Sequence, residues 1–313
     1  MARKLERRSA RILALILAFI MLGSVFAYMF GGSPPEKREV RLHLEDFRDW
    51  INLAPEGGLF YYFNFTELKN LVKKLGVKDP LVNLTDTGAI NALNSNYLSA
   101  NIVQLTGGIN EFMLAEYGGY PLYFIDDNNS KVYFVKESDY EFGNFKVQVS
   151  KYGVGMISEI SPLVIGYAPI VVEVAKNANE NRKIEYAQYL SKLNGTFVFA
   201  FLVYGDVAGN VLKLNQTNGS IVDFFFQGFR YNFSSAQYEK VWGAHFIQNY
   251  FFTEINETEK DFEYYYFENF EDGFSVAVMG DKNFTKLLEA RPNVMGVLIK
   301  EVESSELTNT SKS

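Results

Sequence analysis

The chain has 313 residues, a net charge of −7 and no cysteine. Without cysteine it can form neither disulfides nor thiolate metal sites, and it cannot use a cysteine nucleophile. Two histidines, His43 and His245, are too few for most histidine-based metal centres unless carboxylates complete the ligand set. Hydrophobic residues make up 48% of the chain and charged residues 21%, so we expect a folded core rather than disorder.

The N-terminus has the pattern of a membrane anchor. Residues 1–11 contain five Lys or Arg against one Glu, and residues 12–30 are an uncharged apolar run of 19 residues. At about 1.5 Å per residue, a helix of this length spans a bilayer core of roughly 30 Å. The basic segment is expected to remain cytoplasmic, which predicts a single-pass protein of the cell membrane with its C-terminal domain outside. A signal peptide cleaved after Ala27 is the alternative.

The remaining chain is predicted to be an acidic ectodomain. Residues 12–313 carry a net charge of −11, because residues 1–11 carry +4. An acidic domain lacks the basic surface that binds nucleic acid. The expected partners are therefore the membrane, through residues 12–30, and other surface proteins or glycans. Residues 31–39 hold Gly-Gly and Pro-Pro pairs and are predicted to be a linker. The ectodomain is then expected to consist of two halves, 40–193 and 194–303, followed by a disordered tail, 304–313.

Strand patterns dominate the ectodomain, and most of them are rich in Phe and Tyr. The predicted strands are 58–63, 112–117, 120–125, 131–136, 145–151, 153–158, 163–167, 196–204, 221–232, 246–253, 262–269, 274–279 and 294–302. The predicted helices are 44–53, 67–75, 89–98, 169–181, 184–193, 235–242 and 286–291. Gly118-Gly119 is a two-residue hairpin signal. The strand 196–204 is almost wholly apolar, which predicts a central position with both faces buried.

These elements predict an α+β fold in which helices pack on one face of antiparallel, aromatic-rich sheets. Thr66 is the expected N-cap of helix 67–75, and Gly76 is its expected stop. A strand, the tripeptide Asn-Phe-Thr and a helix occur in this order at 58–76 and again at 274–291. This recurrence suggests that the two halves of the ectodomain are related.

Acceptor motifs for N-glycosylation, Asn-x-Ser/Thr, are more frequent than chance placement predicts, which is about two or three for this composition. They begin at Asn64, Asn83, Asn128, Asn194, Asn215, Asn218, Asn232, Asn256, Asn283 and Asn309. Because an attached glycan is bulky and solvated, each occupied asparagine is expected to be exposed. Clustering of Asn, Ser and Thr in turns is the alternative explanation. Abundant glycosylation motifs, the absence of cysteine and a basic-then-apolar N-terminus resemble archaeal envelope glycoproteins in style.

No catalytic, cofactor-binding or metal-binding residue is predicted. The polar run 126–130 lacks the spacing, glycine and closing Glu of a calcium loop, so it is interpreted as a hairpin turn. The acidic run 254–272 is interpreted as a strand with one solvated side. His245 is expected to be a packed or surface residue. The predicted function is a membrane-anchored extracytoplasmic glycoprotein of the cell surface with a structural or binding role. A carboxylate-dependent hydrolase and a tethered solute-binding protein remain alternatives.

Overall fold

A computed structural model of the chain describes residues 38–94, 102–127, 131–205, 207–211, 221–247, 249–254 and 262–296. The predicted anchor 12–30 and tail 304–313 lie outside these residues. In the described part, no helix combines the length and apolar character needed to cross a membrane.

In the part of the chain that the structure describes, eighteen strands account for most of the regular structure. The strands are β1 (Leu42–His43), β2 (Leu59–Asn64), β3 (Val103–Leu105), β4 (Glu111–Tyr117), β5 (Tyr120–Asp126), β6 (Val132–Phe134), β7 (Ser138–Phe142), β8 (Phe145–Val149), β9 (Val154–Ile157), β10 (Ile160–Ser161), β11 (Leu163–Tyr167), β12 (Phe199–Tyr204), β13 (Val222–Asn232), β14 (Gln237–Phe246), β15 (Tyr250–Thr253), β16 (Tyr264–Asn269), β17 (Phe274–Asp281) and β18 (Asn293–Gly296). The fold is therefore built mainly on sheet, as the α+β prediction requires.

Twelve of these strands form one sheet in the order β16-β17-β14-β13-β12-β2-β4-β5-β11-β9-β8-β7. Its neighbouring strands run antiparallel. Three two-stranded sheets, β1-β10, β15-β18 and β3-β6, accompany it. The predicted central position of the apolar strand is confirmed, because β12 lies between β13 and β2. The predicted hairpin is also confirmed: Tyr117 pairs with Tyr120, and Gly118 and Gly119 both have positive φ.

Helices cover both faces of the sheet, which corrects the prediction that they pack on one face. The helices are α1 (Phe47–Leu53), α2 (Phe65–Leu75), α3 (Pro80–Leu93), α4 (Ala168–Glu180), α5 (Ala187–Leu190), α6 (Ala208–Val211) and α7 (Phe284–Glu289). Helices α1, α4 and α5 pack on one side, which we call face A. Helices α2, α3, α6 and α7 pack on the other side, face B, together with β3-β6 and β15. The strands alternate apolar residues toward both sides, so each face needs a cover.

A row of phenylalanines crosses the middle of face B. Phe112, Phe63, Phe199 and Phe229 occupy paired positions on four adjacent strands. The ring centroids of Phe63 and Phe112 lie 4.7 Å apart, and those of Phe63 and Phe199 lie 5.1 Å apart. Each such contact contributes roughly 0.5–1.5 kcal/mol beyond the burial of its area. These rings help to hold the two sides of the long sheet together without disulfides.

Two predicted helices are placed differently in the structure. Residues 235–242 were expected to be helical, but Gln237–Phe246 is strand β14. The reason is a tight turn: the Asn232 side chain accepts hydrogen bonds from the backbone N–H groups of Ser234 and Ser235, and Ala236 has a φ of 55°. The chain therefore reverses and pairs with β13. The helix expected at 89–98 is α3, which begins much earlier because Asp79 caps it and Pro80 suits its first turn.

Both Asn-Phe-Thr segments form the same local structure, with asparagine as the N-cap. The Asn64 side chain accepts a hydrogen bond from the Glu67 N–H at the start of α2, which corrects the prediction that Thr66 is the cap. Asn283 accepts a hydrogen bond from the Lys286 N–H at the start of α7. Gly76 ends α2 with a φ of 91°, as predicted. The segments do not occupy equivalent places in the sheet, since β2 is central and β17 lies one strand from an edge.

The strands of the two predicted halves occupy separate parts of the sheet. Those from residues 40–193 lie on one side of the β2–β12 pair, and those from 194–303 lie on the other. The pair itself is continuous over five positions, from Phe199 opposite Phe63 to Val203 opposite Leu59. The evolutionary relation between the halves stays a prediction.

Candidate ligand-binding cavity

A cavity of about 530 Å³ lies on face B at the centre of the sheet. Strands β2, β4, β5 and β12 form its floor, and the C-terminal part of helix α3 covers one side. Strands β2 and β12 are the pair at which the two sides of the sheet meet. Cavities of this size, between a sheet and a covering helix, are typical sites for small molecules.

The position of helix α3 depends on a glycine and on a hydrogen bond. A Cβ atom at Gly88 would lie 3.0 Å from the Phe63 ring, so a larger residue there would push the helix or the ring away. The Tyr123 hydroxyl donates a hydrogen bond of 2.9 Å to the Ala92 carbonyl. Together these contacts hold the helix close to the sheet at Phe63 while its last turn forms the wall of the cavity.

The walls of the cavity are mainly apolar and aromatic. Phe63, Leu114, Tyr123 and Phe199 come from four different strands of the floor. Phe199 is only partly buried, although it lies near the middle of the sheet. The covers of face B therefore leave this part of the sheet incompletely closed, and the lining favours an apolar ligand.

Three polar side chains, Tyr61, Asn91 and Glu116, also line the cavity. Asn91 and Glu116 are exposed, which places them at the rim. Burial and, second, the negative charge of Glu116 raise the pKa of Tyr61 above its ordinary value. Tyr61 therefore keeps its proton at neutral pH and can donate a hydrogen bond. The site combines apolar walls with a few groups that can orient a ligand.

A pair of carboxylates lies on the opposite side of the sheet. Glu111 and Asp126 are directly opposed on β4 and β5. The Glu111 oxygens accept hydrogen bonds from the Tyr62 hydroxyl at 2.7 Å and from the Asn64 amide at 2.8 Å. Burial raises the pKa of Glu111. Glu111 and Asp126 lie two residues from Met113 and Phe124, which point toward face A, so this pair does not line the cavity on face B.

His245 forms a cross-link between strands. Its Nδ1 lies 2.5 Å from Asp223 Oδ1, and its Nε2 lies 3.0 Å from the Asp272 carbonyl oxygen. Burial lowers the pKa of His245, but the hydrogen bonds to Asp223 and Asp272 outweigh it, so that the pKa is raised. Both ring nitrogens therefore have acceptors, which suits an imidazolium in a structural role. His43 is exposed, near Glu45.

The glycosylation motifs have different environments. Asn64 is only 3% exposed, and its amide donates to Tyr62 and Glu111, so this fold leaves no room for a glycan there. Because occupied acceptors are expected to be exposed, Asn64 does not qualify as a glycosylation site in this fold. Asn83, Asn194 and Asn283 are exposed, and Asn232 is partly buried with its amide donating to Glu239. The remaining acceptors, Asn128, Asn215, Asn218, Asn256 and Asn309, lie outside the described residues.

The described residues contain no group of three or more His, Cys, Asp or Glu side chains that could hold a metal ion. Of the polar run 126–130, the structure describes Asp126 and Asp127. Asp127 forms an ion pair of 2.5 Å with Arg38, and both side chains are only 2% exposed. This buried ion pair therefore links Arg38, the first described residue, to the segment that follows β5.

The sequence interpretation missed the cavity. Its walls come from residues far apart in the chain, such as Phe63, Leu114 and Phe199, and no local motif connects them. The only local sign is Gly88 inside a helix, where a glycine costs about 1 kcal/mol relative to alanine. Such a glycine can indicate a close approach between a helix and its neighbour.

Comparisons with known proteins identify an archaeal relative of this chain. The AF_2048_N model, which describes a family N-terminal domain, matches residues 43–176. An uncharacterized protein of Archaeoglobus fulgidus is 45% identical over 300 residues, which cover 94% of this chain and 96% of the relative. Crystal form IV of TP0453 has a TM-score of 0.35 and 7% identity, covering 76% of this chain and 96% of that chain. Crystal form I of TP0453 has a TM-score of 0.32. The chain belongs to the family of the Archaeoglobus fulgidus protein.

Proposed function

We propose that this protein is a membrane-tethered, extracytoplasmic binding protein that takes a small, largely apolar molecule into the cavity on face B. The observation that carries the proposal is the cavity itself, with about 530 Å³ of partly open space between aromatic strands and helix α3. Of the alternatives considered from the sequence, the tethered solute-binding protein is the one that this geometry favours.

The lining supports a ligand with an apolar body and a hydrogen-bonding group. Phe63, Leu114 and Phe199 can bury the apolar part, at about 25 cal/mol per Å² of apolar area removed from water. The Tyr61 hydroxyl and the Asn91 and Glu116 side chains can bind the polar part at the rim. Among the lining residues that the structure describes, Glu116 is the only carboxylate, so the described lining gives no support to a carboxylate-dependent hydrolase at this site.

The location outside the membrane rests on the sequence. The apolar run 12–30 follows a basic segment, which supports an anchor with the C-terminal domain outside. The exposed acceptors Asn83, Asn194 and Asn283 support glycosylation of that domain. Binding and surface location together describe a protein that holds a ligand beside the membrane.

The binding activity can be tested by filling the cavity. The full-length protein, purified from its native host in detergent, is extracted with organic solvent, and the released small molecules are identified by mass spectrometry. Ala92→Trp should remove the bound molecule, because Ala92 lines the cavity. Ile90→Trp is the matched control, since Ile90 lies on the same helix and is 50% exposed. If both variants retain the same molecule, or if the unaltered protein releases none, the proposal is wrong.

The location can be tested on the same preparation. Mass spectrometry of the protein from the membrane fraction should find the N-terminal segment retained and glycans on exposed asparagines. A mature chain that begins at Tyr28 would instead indicate a cleaved signal peptide. Recovery of the intact chain from the cytosol without glycans would contradict the proposed location.

A further inference from the structure

A second cavity, of about 350 Å³, lies on face A near the β16 edge of the sheet. Its floor contains the valine side chains of Val241, Val276 and Val278 from β14 and β17. Tyrosines of the edge strand border one side, and the segment that follows α5 borders the other. This site lies on the opposite face of the sheet from the cavity on face B, so the two can be tested independently.

The edge strand presents two tyrosines to this second cavity. Tyr264 lies over Gly280, where the absence of a side chain makes room for its ring. The Tyr264 hydroxyl donates to Glu239 at 2.5 Å, which fixes the position of the ring. Tyr266, two residues further, is 54% exposed, and its hydroxyl donates to Glu268 at 3.0 Å. An exposed aromatic surface with polar groups around it is therefore built into the strand.

The positive charges of the cavity are already paired. Arg230 Nε lies 2.5 Å from Glu239 Oε2, and Lys192 Nζ lies 2.6 Å from Asp272 Oδ2. A charged ligand must therefore compete with these ion pairs. A neutral ligand avoids that cost and can still use the hydrogen-bonding groups that surround the valine floor.

We propose that this second cavity binds carbohydrate. A sugar ring has an apolar face of C–H groups, which can stack on the Tyr266 ring, and hydroxyls at its edge, which both donate and accept hydrogen bonds. Glu268 can accept from these hydroxyls, and the exposed side chain of Asn194 can do both. The mixture of one exposed aromatic ring, an apolar floor and paired positive charges suits a neutral sugar.

The sugar can come from two sources. Asn194 lines the cavity and is also the acceptor of an Asn-Gly-Thr motif, so a glycan attached to it begins at the rim. Alternatively, the sugar belongs to another molecule of the cell surface. The chemistry of recognition is the same in both cases, and the experiment separates them.

The first arm uses full-length protein made in a bacterium that lacks N-glycosylation. Saturation-transfer NMR is recorded with glucose, galactose, mannose and N-acetylglucosamine as probes. Binding of any of them should weaken roughly 3- to 10-fold in Tyr266→Ala, because the stacking contact is lost. Tyr140→Ala is the matched control, since Tyr140 lies on the opposite edge strand, β7, and is 52% exposed.

The second arm uses the protein from its native host. If the Asn194 glycan occupies the cavity, nitration of Tyr266 by tetranitromethane should be slower than in Asn194→Gln, whereas nitration of Tyr140 should not change. Saturation transfer from free sugars that depends on Tyr266 identifies a separate glycan as the ligand. Protection of Tyr266 by the Asn194 glycan identifies the attached one. If neither result is obtained, the proposal is wrong.

Discussion

The two Asn-Phe-Thr segments have the same sequence and the same local structure but different surroundings. Asn64 is 3% exposed and bonds to groups on a neighbouring strand, whereas Asn283 is exposed. The carboxylates beside them also differ: burial raises the pKa of Glu111, near Asn64, whereas that of Asp281, near Asn283, is lowered. The comparison shows that the tripeptide starts a helix in both places. Its position in the sheet determines whether the asparagine is also buried and hydrogen-bonded to a neighbouring strand.

The largest loss of stability is expected from a substitution in the buried copy of the tripeptide. Asn64→Ala removes the cap of α2 and leaves Glu111 and Tyr62 without an amide donor. We expect the free energy of unfolding to fall by about 2–4 kcal/mol. Urea denaturation of the purified protein measures it. A loss below about 0.5 kcal/mol would show that the buried hydrogen bonds contribute little.

The two carboxylates should respond to acid in opposite directions. Glu111 has a raised pKa, so its contribution to stability is full below the unfolded value of 4.5 and is lost as pH rises through the folded pKa. For Asp281, burial opposes the charge, but hydrogen bonds from the Asn283 N–H and Lys286 outweigh it. Its contribution is present above the unfolded value of 3.8 and is lost as pH falls through the folded pKa.

Denaturation of Glu111→Gln and Asp281→Asn from about pH 3 to pH 7 measures this difference. As pH falls, the stability of the unaltered protein relative to Glu111→Gln should rise, and its stability relative to Asp281→Asn should fall by about 1–2 kcal/mol. Parallel pH profiles for the two variants would contradict the assigned directions.

A smaller effect is expected from removing the exposed cap. Asn283→Ala loses the hydrogen bond to the Lys286 N–H of the six-residue helix α7. Because the side chain is exposed, we expect a loss of about 0.5–1 kcal/mol, which urea denaturation can measure. Asn283→Asp, which keeps the accepting oxygen, should restore most of it. A loss as large as that of Asn64→Ala would show that the surroundings do not distinguish the two copies.

The smallest effect on stability is expected from Thr285→Ala. Thr285 is exposed, and its substitution destroys the glycosylation motif while keeping the Asn283 cap. We expect a change within about 0.5 kcal/mol, together with loss of any glycan at Asn283 in protein from the native host. Thr66→Ala is the control, because buried Asn64 should carry no glycan in either form. Detection of a glycan at Asn64 by mass spectrometry would contradict the buried environment.

Features set by neighbouring residues could be predicted from the sequence, and features set by distant ones could not. The Gly118-Gly119 hairpin and the end of α2 at Gly76 follow from local backbone preferences. Burial of Asn64 depends on Glu111, 47 residues away, so the motif alone implied exposure. The helix expected at 235–242 became β14 because pairing with β13 and β17 overrides local propensity.

The continuous pairing of β2 with β12 has a consequence for how a ligand enters the cavity on face B. Binding proteins with two lobes commonly open about a hinge between them. Here the ladder from Phe63–Phe199 to Leu59–Val203 runs through the place where such a hinge would lie, and bending there would break backbone hydrogen bonds. If the cavity binds a ligand as proposed, a movement that widens it would have to come from the covers of face B, such as helix α3, whose last turn is held by the hydrogen bond between Tyr123 and Ala92. In such a movement the sheet would keep its shape, and the helix would be the element that shifts.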